Sequence, residues 1–445
     1  MSVKLPDRHT SVSFRRASCA PYFAALLMLV AGSHASEVPD PPEVIRAVDC
    51  SFIPQIESLG GVFRVQGTPV DPIAFFASKG VNTIRLRVWH SPINGFCGTS
   101  QTLALAQRVH DSGMRLLIDF HYSDTWTDPG QQAKPASWSS LSFSQLKVAM
   151  RLYTLQTLSA LAAQGTPADI VQLGNEITGG MLWNDGKVSF WGDPNWQNLA
   201  ELLNAGAEGV RLSPGGNNIR IMLHIDRGGD NAGTRAFFDR AQQYDVAFDM
   251  IGLSYYPWWH GSLEDLRANL ADAASRYNKP VLIAETAYPW TLGWADTQNN
   301  FVWQSSQLLP QYGASVSGQR DFLLKLFDAH RRVSGNLGAG VCYWAPEFAA
   351  FPGLPTPWEN LALFDFTGNA LESWSAFAPF CIGDLNADRS VDDTDFVTFV
   401  GAYNILDCAD INMPAPCPAD FNFDGFVDDT DFVLFAKAYN ELVCP

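Results

Sequence analysis

Met114-Arg-Leu-Leu-Ile-Asp-Phe120 runs straight into His121-Tyr-Ser-Asp-Thr-Trp-Thr-Asp-Pro-Gly130. A short apolar run that ends in a cluster of polar and aromatic residues reads as a buried parallel strand opening into a working loop at its C-terminal end. The pattern recurs: comparable runs lie at 48–52, 81–88, 169–173, 219–223, 250–253, 280–284 and 340–343, with longer helix-like stretches between them. Eight such strands alternating with helices over residues 36–379 predict an α/β fold, a (β/α)₈ barrel with enlarged loops. A doubly wound open sheet would use the same alternation, but no Gly-x-Gly-x-x-Gly or Walker loop follows any run.

Barrel chemistry is built at the C-terminal ends of the strands. Arg85 and Arg87 alternate within the second run and so share a face. The fourth ends in Gly174-Asn175-Glu176, the sixth in Ser254-Tyr255-Tyr256-Pro-Trp258-Trp259-His260, the seventh in Glu285-Thr-Ala-Tyr288-Pro-Trp290 and the eighth in Trp344. Glu176 and Glu285 therefore face each other across the rim. Cleavage of a glycosidic bond needs such a pair: one acid protonates the leaving oxygen, and one carboxylate attacks the anomeric carbon. A separation of about 5–5.5 Å means retention, and a wider one inversion. Asn175 is placed to bind a sugar 2-hydroxyl. The plainer reading is that each glutamate caps a helix N-terminus.

With one glutamate protonated and the other ionised, a bell-shaped rate profile on the acidic side is expected. All 14 tryptophans fall between Trp89 and Trp374, many in post-strand loops, where flat apolar faces suit sugar rings as well as core packing. His121, His224 and His260 lack zinc spacing, and no Gly-x-Ser-x-Gly elbow occurs.

The 445 residues carry a net charge of -17, which disfavours a polyanion such as DNA as partner. Residues 1–35 place Lys4, Arg8, Arg15 and Arg16 before an apolar run at 22–30 and the small-x-small site Ser33-His34-Ala35. That is a signal peptide pattern, too short for a transmembrane anchor, and it predicts a secreted, extracellular or surface-associated protein. Of eight cysteines, Cys19 leaves with the signal, and Cys342 reads as a buried thiol. Cys381–Cys408 and Cys417–Cys444 are the economical disulfides, with Cys50–Cys97 completing the count, although spacing leaves other connectivities open.

Residues 380–445 hold 13 Asp/Glu against 2 Lys/Arg and contain a repeat offset by 36. Asp384, Asn386, Asp388, Asp392 and Asp395 superpose on Asp420, Asn422, Asp424, Asp428 and Asp431, at positions 1, 3, 5, 9 and 12 of a loop. Position 7, Ser390 or Phe426, offers a backbone carbonyl. This spacing wraps six to eight oxygens around a Ca²⁺ ion, whereas a solvated acidic linker has no reason to repeat it. After each loop, Phe396-Val-x-Phe399-x-x-Ala402-Tyr403 and its counterpart from Phe432 suit helices with one apolar stripe. Arg389 stands at position 6 of the first loop where the second has Gly425, so weaker binding is expected there.

Two resemblances emerge. The stretches Asn82-Thr-Ile-Arg-Leu-Arg-Val-Trp89, Asp119-Phe-His-Tyr-Ser-Asp-Thr-Trp-Thr-Asp-Pro-Gly130, Val171-Gln-Leu-Gly-Asn-Glu-Ile177, Ile251-Gly-Leu-Ser-Tyr-Tyr-Pro-Trp-Trp-His-Gly261 and Glu285-Thr-Ala-Tyr-Pro-Trp-Thr291 resemble glycoside hydrolase family 53 over about residues 45–378. That resemblance implies a retaining endo-β-1,4-galactanase acting on β-1,4-galactan or arabinogalactan, the side chains of pectin. Glu176 would be its acid/base and Glu285 its nucleophile, and no catalytic cofactor is implied. Arg85, Arg87, His121, Asn175, Tyr256 and Trp344 would line the subsite beside the cleaved bond. A calcium ion held by some bacterial members after strand seven or eight is not carried over, because 291–319 contains only Asp296 as a carboxylate. The tail resembles a dockerin-like module, which implies structural Ca²⁺ and a cohesin-like protein partner. The alternatives are a related endo-hydrolase of mannan, xylan or glucan, and a non-catalytic carbohydrate-binding scaffold component.

Overall fold

A computed structural model describes residues 44–441 apart from 190–194, 380–381, 386–389, 409, 411, 414–416, 418 and 423–424. The signal segment, Asn386, Asp388, Asp424, Cys381 and Cys444 therefore lie outside the described residues. Eight parallel strands close a barrel: β1 (Ile45–Asp49), β2 (Thr83–Val88), β3 (Arg115–Phe120), β4 (Ile170–Leu173), β5 (Arg220–Ile225), β6 (Met250–Ser254), β7 (Val281–Glu285) and β8 (Gly338–Trp344). Each pairs with its neighbours in sequence, and β8 returns to β1 with Ile45 opposite Gly340 and Asp49 opposite Trp344. The predicted barrel is present.

The first strand is the one displaced from expectation, lying at 45–49 rather than 48–52. Ring closure against β8 sets its register, and a short helix already begins at Ile53. The crossover helices are α1 (Pro72–Ser78), α2 (Thr99–Asp111), α3 (Phe143–Ala163), α4 (Trp196–Leu212), α5 (Asn231–Gln243), α6 (Leu263–Tyr277) and α7 (Val316–Arg331). Their starts are written locally. Ser142 and Gln145 form a capping box for α3, Ser262 and Asp265 one for α6, and Asp71 Oδ1 accepts the Ala74 N–H at 2.9 Å to open α1.

Alternation along the strands divides the core in two. Outward residues such as Ile84, Leu86, Ile118 and Leu173 pack with Leu146, Leu203, Val210 and Phe237 of the helices. Inside the barrel, Ile45, Ala47, Leu117, Ile170, Met222, Met250, Leu282, Ala284 and Cys342 form an apolar floor. Fully burying a side chain of Leu or Ile size contributes roughly 1.5–3 kcal/mol. Further along the strands, toward their C-terminal ends, the inward face turns polar: Asp49, Asp119, Gln172, His224 and Ser254 are buried, with Arg85 and Glu285.

The tail has its own small core. Helices α8 (Asp393–Tyr403) and α9 (Asp429–Glu441) follow the two acidic loops, and Phe399 stacks on Phe435 at 5.0 Å within a cluster that includes Val391, Ala402 and Val427. The expected disulfides are corrected here: Cys408 bonds Cys417, 5.5 Å apart at Cα, and Cys50 and Cys97 are separate buried thiols. Repeat symmetry pairs equivalent positions, whereas a disulfide needs Cα atoms within about 7 Å, which the connector between the repeats supplies. Cys342 is a buried thiol, as read from its apolar surroundings. No helix among the described residues is long and apolar enough to cross a membrane.

Candidate functional site

A cleft of about 980 Å³ opens above the polar layer at the C-terminal ends of the strands. Its lining includes Arg87, Asn175, Glu176, Tyr256, Glu285 and Trp344, six of the eight residues expected there. Arg85 and His121 sit behind that wall. Trp89, Trp126, Trp259, Trp344 and Trp358 face the cleft, while Trp138, Trp196 and Trp374 belong to the core.

Arg85 is the hub beneath the cleft. Its guanidinium lies 2.9 Å from each of Asp49 Oδ2, Asp119 Oδ2 and Glu285 Oε1, and it donates to Asn175 Oδ1 at 2.8 Å and Gln172 Oε1 at 3.1 Å. Burying one cation among three carboxylates is favourable only with this completeness of pairing. His121 Nε2 contacts Asp119 Oδ2 at 3.0 Å, and its Nδ1 accepts the Thr127 N–H at 3.2 Å, so it braces Asp119. Arg87 is held by rings, its guanidinium 4.0 Å from the Phe52 ring and 4.2 Å from that of Trp126.

The two glutamates stand in unlike surroundings. Glu285 ends β7, is 5% exposed, and receives the Tyr256 hydroxyl at 2.9 Å on Oε2. Burial pushes its carboxyl up to about 7, opposed chiefly by the Arg85 charge. Glu176 follows β4 in the left-handed region, φ 49° and ψ 52°. Gly174 just before it has φ 83°, and a Cβ there would meet Ile177 Cγ2 at 2.5 Å, so the turn requires glycine. Glu176 Oε1 accepts the Ser254 hydroxyl at 2.6 Å, and His224 Nε2 lies 2.8 Å from Ser254 Oγ. Burial, then the charges of Glu285 and Asp226, hold Glu176 well above the usual carboxylate range. Burial, then the Arg85 charge, push the His224 imidazole well below its usual range. The outcome is one carboxyl biased toward its acid form beside one ion-paired carboxylate in a single cleft.

Asp49, Gln172 and Asp226, which receives the Thr178 hydroxyl, were not singled out from sequence, and His224 and Ser254 were given no role there. The inward alternation that exposed Arg85 and Arg87 carries the signal for Asp49, Gln172, His224 and Ser254 once strand ends are placed.

Of the acidic loop residues, Asp395 and Asp431 play matching parts. Asp395 accepts the N–H groups of Leu385 at 2.6 Å and Asp392 at 3.0 Å, and Asp431 those of Phe421 at 2.6 Å and Asp428 at 3.0 Å. Asp392 and Asp428 each accept a threonine N–H at 2.8 Å, and Asp420 accepts that of Gly425 at 3.1 Å. Asp384, Ser390, Asn422 and Phe426 also lie in these two loops, and Phe426 of the second forms a β-bridge with Asp407 in the connector after α8.

Comparison with known proteins agrees with this geometry. The family model described as glycosyl hydrolase family 53 matches residues 45–377. An arabinogalactan endo-beta-1,4-galactanase of Cellvibrio japonicus is 36% identical over 370 residues, covering 80% of this chain and 96% of its own, and an endo-beta-1,4-galactanase of Bacillus subtilis is 32% identical, covering 81% and 83%. The solved GH53 catalytic domain of Ignisphaera aggregans superposes with a TM-score of 0.71 at 36% identity, over 76% of this chain and 97% of that one. With the family model spanning the whole barrel and relatives above 30% identity along most of their own length, this chain belongs to glycoside hydrolase family 53 and is a glycoside hydrolase.

Proposed function

We propose that the protein is a secreted, retaining endo-β-1,4-galactanase that cuts β-1,4-galactan and arabinogalactan side chains of pectin. The observation that carries this reading is the unequal glutamate pair in one aromatic-lined cleft. The similarity to galactanases supplies the substrate class.

Glu285, its charge balanced by Arg85, attacks the anomeric carbon. The glycosidic C–O bond breaks as Glu176 gives its proton to the leaving oxygen. Ser254 occupies Glu176 Oε1 as a donor, which leaves Oε2 to carry that proton. Esterification then removes the Glu285 charge, and with it one cause of the raised Glu176 carboxyl. Glu176 is thereby suited to take a proton from water, whose oxygen attacks the same carbon and releases Glu285. Asn175, oriented by Arg85, faces the sugar beside the bond, and Trp344, Trp358 and Trp126 offer ring faces.

The test is hydrolysis of debranched β-1,4-galactan by the mature protein, with Glu285→Gln as control and the anomer of the first product read by NMR. Short galacto-oligosaccharides released as the β-anomer, with a loss of about 10⁴-fold or more in the variant, are expected. An inert wild type on galactan that cuts another β-glycan would remove the substrate assignment. An α-anomer would remove retention.

The tail is proposed as a dockerin-like calcium unit. The Asp384, Asn386, Asp388, Ser390, Asp392 and Asp395 loop would hold one ion, and the Asp420, Asn422, Asp424, Phe426, Asp428 and Asp431 loop another, with a cohesin-like module as partner. Supporting the fit, Asp395 and Asp431 are fully buried carboxylates, and burial pushes Asp431 upward, a penalty that a hard cation would offset. Bound Ca²⁺ would supply structural cross-linking of each loop. Calorimetry with Ca²⁺, and cohesin binding with and without chelator, test this; no calcium-dependent heat would overturn it.

A further inference from the structure

The residue at which the proposed acid leaves the backbone is strained. Glu176 is a non-glycine residue at φ 49°, and such a conformation persists where neighbours over-determine it. The loops on both sides of β4 supply that constraint. Thr178 is tied to Asp226 after β5, and Asn175 Nδ2 donates to Thr127 O at 2.8 Å. Trp183 Nε1 donates to Gly179 O at 3.0 Å.

Gln172 Nε2 donates to Gly174 O at 3.0 Å, and a second side chain reaches the carbonyls of Asn175 and Glu176 themselves. Gln132, in the loop after β3, is 2% exposed, and its Nε2 donates to Asn175 O at 2.7 Å and Asp128 O at 3.1 Å, with Glu176 O at 3.5 Å. Its backbone is fixed in turn by the Trp183 N–H, 2.8 Å from Gln132 O. An amide NH₂ has two hydrogens and here meets three carbonyls, while Gln132 Oε1 makes no hydrogen bond among the described residues. The side chain is therefore placed for its donor end. A buried carbonyl at this turn needs a donor, and no hydrocarbon could replace it.

We propose that Gln132 is a positioning residue for Glu176: its amide clamps the carbonyls on either side of the left-handed residue and so aims the carboxyl at the leaving oxygen. The inference rests on Glu176 being the acid, and the experiment separates the two. Full-length wild type, Gln132→Leu and Glu176→Ala are compared by kcat/KM on debranched β-1,4-galactan, whose leaving alcohol needs a proton, and on a 2,4-dinitrophenyl β-1,4-galactobioside, whose leaving phenolate does not. Gln132→Leu is expected to lose about 10–100-fold on galactan and less than about threefold on the aryl substrate. Retained aryl activity certifies the fold.

Equal losses on both substrates, or no loss on either, would overturn the role. If Glu176→Ala itself loses activity equally on both, the acid assignment fails first. Should Gln132→Leu not fold, Gln132→Asn, which keeps the amide but shortens its reach, carries the same comparison.

Discussion

Carboxylates gather in two regions of this chain, the barrel rim and the tail loops, and the two hold them by different means. At the rim, Asp49, Asp119 and Glu285 arrive from β1, β3 and β7 and converge on one guanidinium at 2.9 Å each. In the tail, Asp395 and Asp431 close loops of contiguous sequence and are held by backbone N–H groups no more than ten residues away. A rim built from distant strands is a single network in which each member's charge depends on the others. A loop built from near neighbours is self-contained, and the chain can repeat it.

The sharpest way to break this comparison is Arg85→Met. If the rim is one network, three buried carboxylates lose their cation, and stability should fall by about 3–5 kcal/mol, with galactan hydrolysis lost by about 10³-fold or more. Denaturant unfolding and rate measurement check both, and a variant within about 1 kcal/mol of wild type would show that the acids do not share the cation. For the tail, chelator should expose residues 380–445 to proteolysis while galactan hydrolysis stays within about twofold. Asp431→Asn should weaken one calcium site at least about tenfold and leave the other. Equal weakening of both would show that the loops are not self-contained.

A smaller effect concerns the pH profile. Burial pushes the Glu285 carboxyl up to about 7 and holds Glu176 well above the usual carboxylate range, so both limbs of the bell in kcat/KM should lie above that range, nearer neutrality than the residue types alone suggest. The Tyr256 hydroxyl favours ionised Glu285. Tyr256→Phe should therefore raise the acid limb by up to about one unit. An unmoved limb would assign it to another group.

A separate pH effect, on stability, is predicted at Glu347, fully buried beside Phe52 and pushed by burial from 4.5 to about 8. The folded chain keeps a proton there that the unfolded chain releases, so stability falls as pH rises between those values, by at most about 1.4 kcal/mol per unit. Glu347→Gln should flatten that slope; an unchanged slope between pH 5 and 8 would exclude this group as its source.

Much of this was legible in the residues. Short apolar runs ending in polar clusters mark β2 to β8, and Glu176 and Glu285 stand where those runs stop. The acidic repeat and its two following helices are likewise local patterns. The start of β1 is not legible locally, because its register is set by β8, nearly 300 residues away. The Cys408–Cys417 disulfide is hidden for a related reason: an offset of 36 describes symmetry, while bonding follows distance.

By itself, then, the sequence determined the strand count, the acidic loops and the two carboxylates, because each is written in spacing that short-range physics can read. Only the tertiary structure decided that Arg85 would serve three acids and that His224 and Ser254 would lead to Glu176. It also decided that Gln132 would grip the turn beneath Glu176. Those contacts join residues 30 to 90 positions apart or more, and closing the ring of strands brings them within hydrogen-bonding distance.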